Sequence, residues 1–325
     1  MKNWLITGGC GFLGTALIKK LLQDPANNIR VLDNLSVGTK KDLSLVSDYI
    51  EQSQEHLNWD IKENVSLVVG DILDEQLALL VANGADVIVH FAANTGVGPS
   101  VENPRLDMAL NVVGTFNYLE AARIYNVPRF VFASSGAPAG EVEPPIHEEL
   151  PPHPVSPYGA SKLAGEGYCS AYNKTFGIDT VMLRFGNVYG PGSLHKSSVV
   201  AKFIRQAMNG ETLEIYGDGS QTRDFIYIDD LIHAVLRAAD VPNVGGEAFQ
   251  IATNKETTVG EMADLIVKEL SDAGLNDIKL INSEKRLGDV MRNYSDTSKA
   301  RDFLGWTTKT NLKDGVKKTI EYFIK

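Results

Sequence analysis

Three glycines, Gly8, Gly11 and Gly14, stand where a short apolar run gives way to a helix-spaced one, in Thr7-Gly8-Gly9-Cys10-Gly11-Phe12-Leu13-Gly14. Gly8 permits a tight turn, Gly11 lets the backbone approach a pyrophosphate, and Gly14 allows close helix packing, while the new helix start attracts the anion. A turn of this kind joins a strand to a helix within a βαβ unit, so it commits the chain to an α/β fold. The next apolar run ends at Asp33, 19 residues after Gly14. At that spacing a carboxylate accepts hydrogen bonds from adenosine ribose hydroxyls. The same carboxylate would repel a 2′-phosphate, and no arginine follows in Asp33-Asn34-Leu35-Ser36. The expected cofactor is NAD rather than NADP.

The rest of the chain keeps that rhythm for some 180 residues. Residues 3–7, 29–33, 65–69, 87–91, 129–134 and 179–184 are short β-rich runs, and 15–22, 106–125 and 158–176 carry helix-spaced apolar residues between them. Alternation of this sort predicts a Rossmann doubly wound parallel sheet. Beyond Asn187 the rhythm breaks. Helical patterns over 199–209, 231–239, 259–273 and 312–324 alternate with short irregular strands. The expectation is an NAD-binding Rossmann domain over 1–187, with about 224–252 returning to it, and a smaller α/β substrate-binding lobe over 188–325. The Pro-rich stretch 144–157 is expected to be a loop over a site. A polar, acidic insert at 40–64 looks helix-like and has no function assigned to it.

Composition narrows the partners. A net charge of −10 argues against a surface that coats nucleic acid, although it leaves room for a local basic pocket. Two cysteines in 325 residues, Cys10 and Cys169, fit a reducing compartment better than a disulfide scaffold. The N-terminal apolar run stops at Ile6, too short for a signal-peptide core or a spanning helix. A cytoplasmic protein with no nucleic-acid, membrane or metal partner is expected.

Candidate chemistry follows the fifth strand. Ser134-Ser135 ends it, and Tyr158-Gly159-Ala160-Ser161-Lys162 follows the Pro-rich loop. Tyr158 and Lys162, four apart, share a helix face. A tyrosine of ordinary pKa, about 10, is a poor base at neutral pH, but a nearby ammonium and a nicotinamide cation favour its phenolate. Lys162 is expected to supply that ammonium and to hold the nicotinamide ribose. With a serine hydroxyl on the same substrate oxygen, the set can take a proton from a sugar hydroxyl while its carbon gives hydride to the cofactor.

These motifs in this order resemble the extended short-chain dehydrogenase/reductase family, within it the NAD-dependent nucleotide-sugar epimerases and dehydratases, over nearly the whole chain. The resemblance implies that Asp71 and Ile72 contact adenine and that Phe91, Ala92 and Ala93 line the cofactor, with Asn34, Asn111 and Ser134 beside it. Through Arg184-Phe185-Gly186-Asn187-Val188-Tyr189-Gly190-Pro191 and the later motifs it implies that Asn187, Arg223 and Arg286 hold a nucleoside diphosphate and that Tyr216 stacks near uracil. An acidic protein needs arginines for a diphosphate, and arginine can hold one bidentately. Helices 106–125 and 158–176 resemble those of a four-helix homodimer interface.

Residues after Ser135 separate the reactions. Here the family's dehydratases look like Thr-Asp-Glu and its UDP-glucuronate decarboxylases like Ser-Glu, whereas this chain has Ser135-Gly136-Ala137-Pro138. Expulsion of a C6 hydroxyl needs an acid that positions 136 and 137 cannot supply. What remains is hydride removal at C4 of a UDP-sugar and its return to the opposite face, with Ser135, Tyr158 and Lys162 as the catalytic set. UDP-glucose/UDP-galactose leads. Asn293, in place of a bulky tyrosine, would make room for the N-acetyl group of UDP-GlcNAc, and Thr95 belongs to a segment able to bind the C6 carboxylate of UDP-glucuronate. The alternatives are an oxidoreductase with net cofactor turnover and a catalytically silent NAD sensor.

Overall fold

The computed structural model describes residues 1–193, 196, 198–284 and 290–324. β1 (Lys2–Thr7) passes through the glycine turn into α1 (Phe12–Leu21), followed by β2 (Asn27–Asp33), α2 (Lys40–Ser44), β3 (Ile50–Glu51), β4 (Val65–Val69), α3 (Glu75–Ala82) and β5 (Val87–His90). Next come α4 (Val97–Glu102), α5 (Pro104–Met108), a wide π turn over Ala109–Val113, α6 (Gly114–Ile124), β6 (Arg129–Ser135), α7 (Pro157–Phe176) and β7 (Asp179–Phe185). The remainder comprises β8 (Asn187–Tyr189), α8 (Val199–Met208), β9 (Leu213–Tyr216), β10 (Thr222–Arg223), β11 (Phe225–Tyr227), α9 (Ile228–Asp240), β12 (Glu247–Ile251), β13 (Thr257–Thr258), α10 (Val259–Asp272), β14 (Leu280–Ser283), α11 (Ser298–Leu304) and α12 (Leu312–Ile324).

Among the described residues eight strands form one sheet in the order β12-β7-β6-β5-β1-β2-β4-β3, and every pairing is parallel. This is a Rossmann-like doubly wound sheet. Both faces are covered, which is why its strands are continuous apolar runs rather than alternating ones. Leu5, Leu32 and Ile88 pack on the α3 and α6 side, whereas Trp4, Ile6, Val31 and Val89 pack on the α1 and α9 side. The second core runs without a break into the later part of the chain, taking in Leu213, Met262 and Ile320. The chain winds outward from β1 to β4, then jumps back to β5 on the other side of β1. That reversal opens a crevice at the carboxyl ends of β1 and β5, where ligands of such sheets bind.

The structure corrects the reading of the 40–64 insert. Only Lys40–Ser44 is helical, held by a capping box between Thr39 and Asp42. The insert then contributes β3 to the sheet edge and lays Trp59 over the buried Arg30, 3.9 Å from ring centroid to guanidinium. A polar stretch without an apolar stripe has no face to bury as a long helix. It serves instead as an edge strand and a cover.

Candidate active site

The crevice widens into a cleft of about 1480 Å³. At its floor the loops after β1 and β5 touch: Gly8 has φ +70°, and a Cβ there would lie 2.8 Å from the Ala92 nitrogen. Gly14 serves packing, since a Cβ on it would lie 2.4 Å from Gly9 Cα. Gly11 occupies the N-cap position of α1 and offers no side-chain cap, so the first N–H groups of the helix remain available to an anion. Asp33 ends β2 with its carboxylate fixed by two backbone donors, Cys10 N–H at 2.9 Å and Leu35 N–H at 2.8 Å. Burial still raises its pKa. Asn34 donates to Asp71 at 2.9 Å, tying the loops after β2 and β4 together. A bare helix start, a glycine floor and an oriented carboxylate fit the diphosphate and adenosine ribose of NAD.

Gly8, Gly11, Phe12, Leu13, Asp33, Asn34, Asp71, Ile72, Phe91, Ala92, Ala93, Thr95, Tyr158 and Asn187 all line this cleft. Ser36, Val37 and Gly38 line it too, and the sequence reading passed over them. A Cβ on Gly38 would lie 2.3 Å from the Cys10 carbonyl carbon, so this loop rests directly on the glycine turn. A glycine five residues after the strand-end acid was the available signal.

At the reacting end, Ser156 caps α7 by accepting from Gly159 N–H at 3.1 Å, and Pro157 occupies the first turn. Tyr158 is thereby held at the helix start, facing the cleft, with the Ser135 hydroxyl near enough to its phenol to pull its pKa down. Burial pushes Tyr158 up to about 12, against the pull of Ser135, and Asp107 raises it further. Lys162 is not among the groups that act on the phenol in the protein alone; the pull downward there comes from Ser135. Burial likewise pushes Lys162 down to about 8, against Asp107 and Glu166, and its ammonium donates to the Ala133 carbonyl at 2.8 Å. Lys162 lies beneath the cleft rather than in its lining. His90, fully buried, falls to about 3 through burial and the nearby Lys162, and pairs with Thr7 at 2.9 Å.

Ser134 and Ser135 diverge, as neighbours on a strand must. The Ser134 hydroxyl is buried and donates to Glu166 at 2.5 Å, so it is not offered to a cofactor. Glu166 also takes both Nε and Nη2 of Arg184, at 2.9 and 2.8 Å. Asn111, on the π turn, is buried and donates to Asn94 O, Asp107 and Ser161 while accepting from Asn94 N–H. Its side chain is a brace between the loop after β5 and α7. Asp107, wholly buried, has one carboxylate oxygen without a partner among the described residues.

On the smaller lobe, Arg223 donates through Nη1 to Thr222 O at 2.6 Å and Val290 O at 2.7 Å, and Asn293 N–H donates to the Thr222 hydroxyl at 3.3 Å. Tyr216 accepts from Lys202 at 3.5 Å. None of Tyr216, Arg223 and Asn293 belongs to the described lining of the cleft, so the structure does not bring them to the cofactor end as it does Asn187. Arg286 lies outside the described residues. The Pro-rich loop crosses between the lobes, with Ile146 N–H bonded to Tyr294 O at 2.8 Å and Asp296 N–H to Ile146 O at 2.8 Å.

Comparison with known proteins agrees with this architecture. Residues 4–252 match the model of the NAD dependent epimerase/dehydratase family. The chain belongs to that family. It is 38% identical to a putative UDP-glucose 4-epimerase of Methanocaldococcus jannaschii, over 98% of this chain and 97% of that one. Among solved structures it resembles a UDP-glucose 4-epimerase of Thermotoga maritima with UDP-glucose, at a TM-score of 0.87 and 33% identity over 99% and 98% of the two chains. It also resembles a UDP-N-acetylglucosamine 4-epimerase of Methanobrevibacter ruminantium M1 in complex with UDP-N-acetylmuramic acid, at 0.88 and 29% over 99% and 98%. The chain is thus an NAD-dependent enzyme of the epimerase class.

Proposed function

We propose that this enzyme inverts C4 of a UDP-sugar, with UDP-glucose and UDP-galactose as its substrate pair. The observation that carries the reading is the wall beside Tyr158. Ser135 faces the phenol, and the next residues are Gly136, beside which a Cβ would meet nothing within 4 Å, and Ala137, in a short turn ending at Ala139. The wall offers a hydroxyl and open space where a dehydratase needs an acid. The 4-epimerases described above are matched over nearly their whole length, which supports the same choice.

Tyr158, as phenolate, takes the proton of the C4 hydroxyl while Ser135 donates a hydrogen bond to the same oxygen. NAD held in the cleft would supply the acceptor for the C4 hydride and the donor for its return. After the 4-keto sugar turns over in the cleft, Tyr158 gives its proton back to the oxygen, and the opposite epimer results. No net oxidant is consumed. Lys162 would leave Ala133 to hold the nicotinamide ribose, and Asn187 with Arg223 and Arg286 would hold the diphosphate. Purified protein is to be incubated with UDP-glucose, UDP-galactose, UDP-GlcNAc and UDP-glucuronate, with products resolved by NMR. Interconversion of the first two is expected; conversion of only one of the others would reassign the sugar, and no C4 epimer from any would end the reading.

The helices expected to pair two copies leave an apolar face. Leu106, Met108, Val113 and Phe116 are exposed on α5, the π turn and α6, and Phe116 meets the exposed Tyr168 of α7 edge-on at 5.4 Å. A homodimer through this face is proposed, and a monomeric mass in solution would refute it.

A further inference from the structure

Among the polar groups of the cleft that the proposed reaction leaves unused, two stand side by side at the entry to α8. Lys196 lines the cleft with its ammonium 5.4 Å from the Phe12 ring centroid. Among the described residues that ammonium has no hydrogen-bond acceptor and no carboxylate partner. Its burial lowers its pKa, the direction for a cation withdrawn from water. Ser198, two residues on, also lines the cleft, and its hydroxyl is buried without a hydrogen bond. Ser198 occupies the N-cap position of α8 yet does not cap it. Phe12, under the ammonium, is the first residue of α1, whose start is also uncapped.

An acidic chain has thus left a cation, a hydroxyl and two bare helix starts bordering one volume. Among the described residues neither the partly buried ammonium nor the buried hydroxyl has a partner, and buried polar groups are rarely left so without a ligand. Their common complement is an anion with several acceptor oxygens, as a diphosphate has. Aliphatic or neutral sugar surface would leave the ammonium as it is.

We propose that Lys196, with Ser198 beside it, is a ligand for a nucleotide diphosphate bound in this cleft. The inference rests on the function proposed above, and it adds to the residues assigned there a cation in the lining of the cleft itself. Both the cofactor and the nucleotide sugar carry a diphosphate, and the experiment separates them. The full-length protein and its Lys196→Met, Lys196→Gln and Lys196→Arg variants are titrated by calorimetry with NAD, with UDP and with uridine, and melting temperatures check folding. Loss of a charge-assisted contact should weaken NAD or UDP roughly ten- to a hundredfold in the Met and Gln variants, with the Arg variant close to the parent and uridine unchanged. The ligand that weakens identifies which diphosphate Lys196 holds. Losses below about twofold for both NAD and UDP overturn the proposal, as does an equal loss for uridine, which would mean a collapsed cleft. If the parent binds NAD but not UDP, the proposed function fails while the NAD arm still judges Lys196.

Discussion

Glu166 sits one helical turn past Lys162 and two past Tyr158, on the same face of α7, and it is buried. Its carboxylate receives two guanidinium hydrogen bonds from Arg184 on β7 and one hydroxyl bond from Ser134 on β6. Burial works against the Arg184 charge, but Glu166, with a further contribution from Glu148, more than offsets it, and the guanidinium pKa ends above its usual value. One side chain therefore ties the helix that carries the base to the strand that carries Ser135. Glu166→Gln keeps the shape and removes the charge, leaving a buried guanidinium without its counter-ion.

Three charge-assisted bonds at ~1.5–3 kcal/mol each would sum to far more than the true loss, because they share one carboxylate and removing it relieves that group's own desolvation. The expected destabilisation is that of breaking a buried pair, about 3–5 kcal/mol. Urea unfolding followed by both fluorescence and circular dichroism would measure it, coincident transitions being required before a free energy is assigned. Slippage of α7 by even about 1 Å should also cost kcat roughly a hundredfold while KM changes little. A double Glu166→Met, Arg184→Met variant should recover most of the stability, since apolar packing replaces the pair. A Glu166→Gln protein within about 1 kcal/mol of the parent, with kcat intact, would refute the anchoring argument.

Tyr158→Phe should lower epimerisation by roughly 10²–10⁴-fold and leave NAD affinity nearly unchanged, and turnover near the parental rate would remove Tyr158 from the chemistry. Asp33→Asn removes the charge oriented by Cys10 and Leu35, so NAD should bind about tenfold or more weakly and the preference over NADP should narrow; an unchanged NAD/NADP affinity ratio in direct titration counts against it. Asp107 raises the pKa of both Tyr158 and Lys162, so Asp107→Asn should lower both, from about 12 and about 8. Both limbs of the pH–rate profile should then move to lower pH, and a profile that stays in place or moves upward refutes the electrostatic link.

The six strands flanked by helices were legible because a sheet buried on both faces needs unbroken Val, Ile and Leu runs, and those runs stand out from the chain around them. β12, Glu-Ala-Phe-Gln-Ile, carries polar residues because it closes the sheet edge, and β3 is two residues long; neither has a run to detect. The glycine turn and Asp33 were legible because backbone geometry and ribose chemistry restrict those positions to few residue types. Glu166 and Asp107 were not. A carboxylate on a helix looks like a solvated charge until the fold brings Arg184, or Asn94 and Asn111, against it, and those partners come from other elements. The two adjacent serines show the same limit on a smaller scale. Strand alternation required them to point opposite ways, but only the packing of α7 decided that Ser135 meets Tyr158 and Ser134 meets Glu166.

The ionisation states explain why the dyad needs its cofactor in place. A phenol at about 12 lies two units above an ordinary tyrosine, an additional cost of about 3 kcal/mol against the phenolate. At neutral pH such a group is ionised in roughly one molecule in 10⁵. Lys162 is the obvious source of compensation, yet its own burial holds it at about 8 and its ammonium is bonded to Ala133 rather than to the cleft. Asp107 adds a negative charge that acts against the phenolate while favouring the ammonium. The protein alone is therefore set in the proton-holding state, with a neutral phenol and a protonated lysine at pH 7. In the proposed complex a nicotinamide cation near Tyr158, and Lys162 turned toward its ribose, would both favour the phenolate. Under the proposed function Tyr158 would then become a base only where a hydride acceptor is already present, and proton abstraction from the sugar would be confined to the complex able to complete the oxidation.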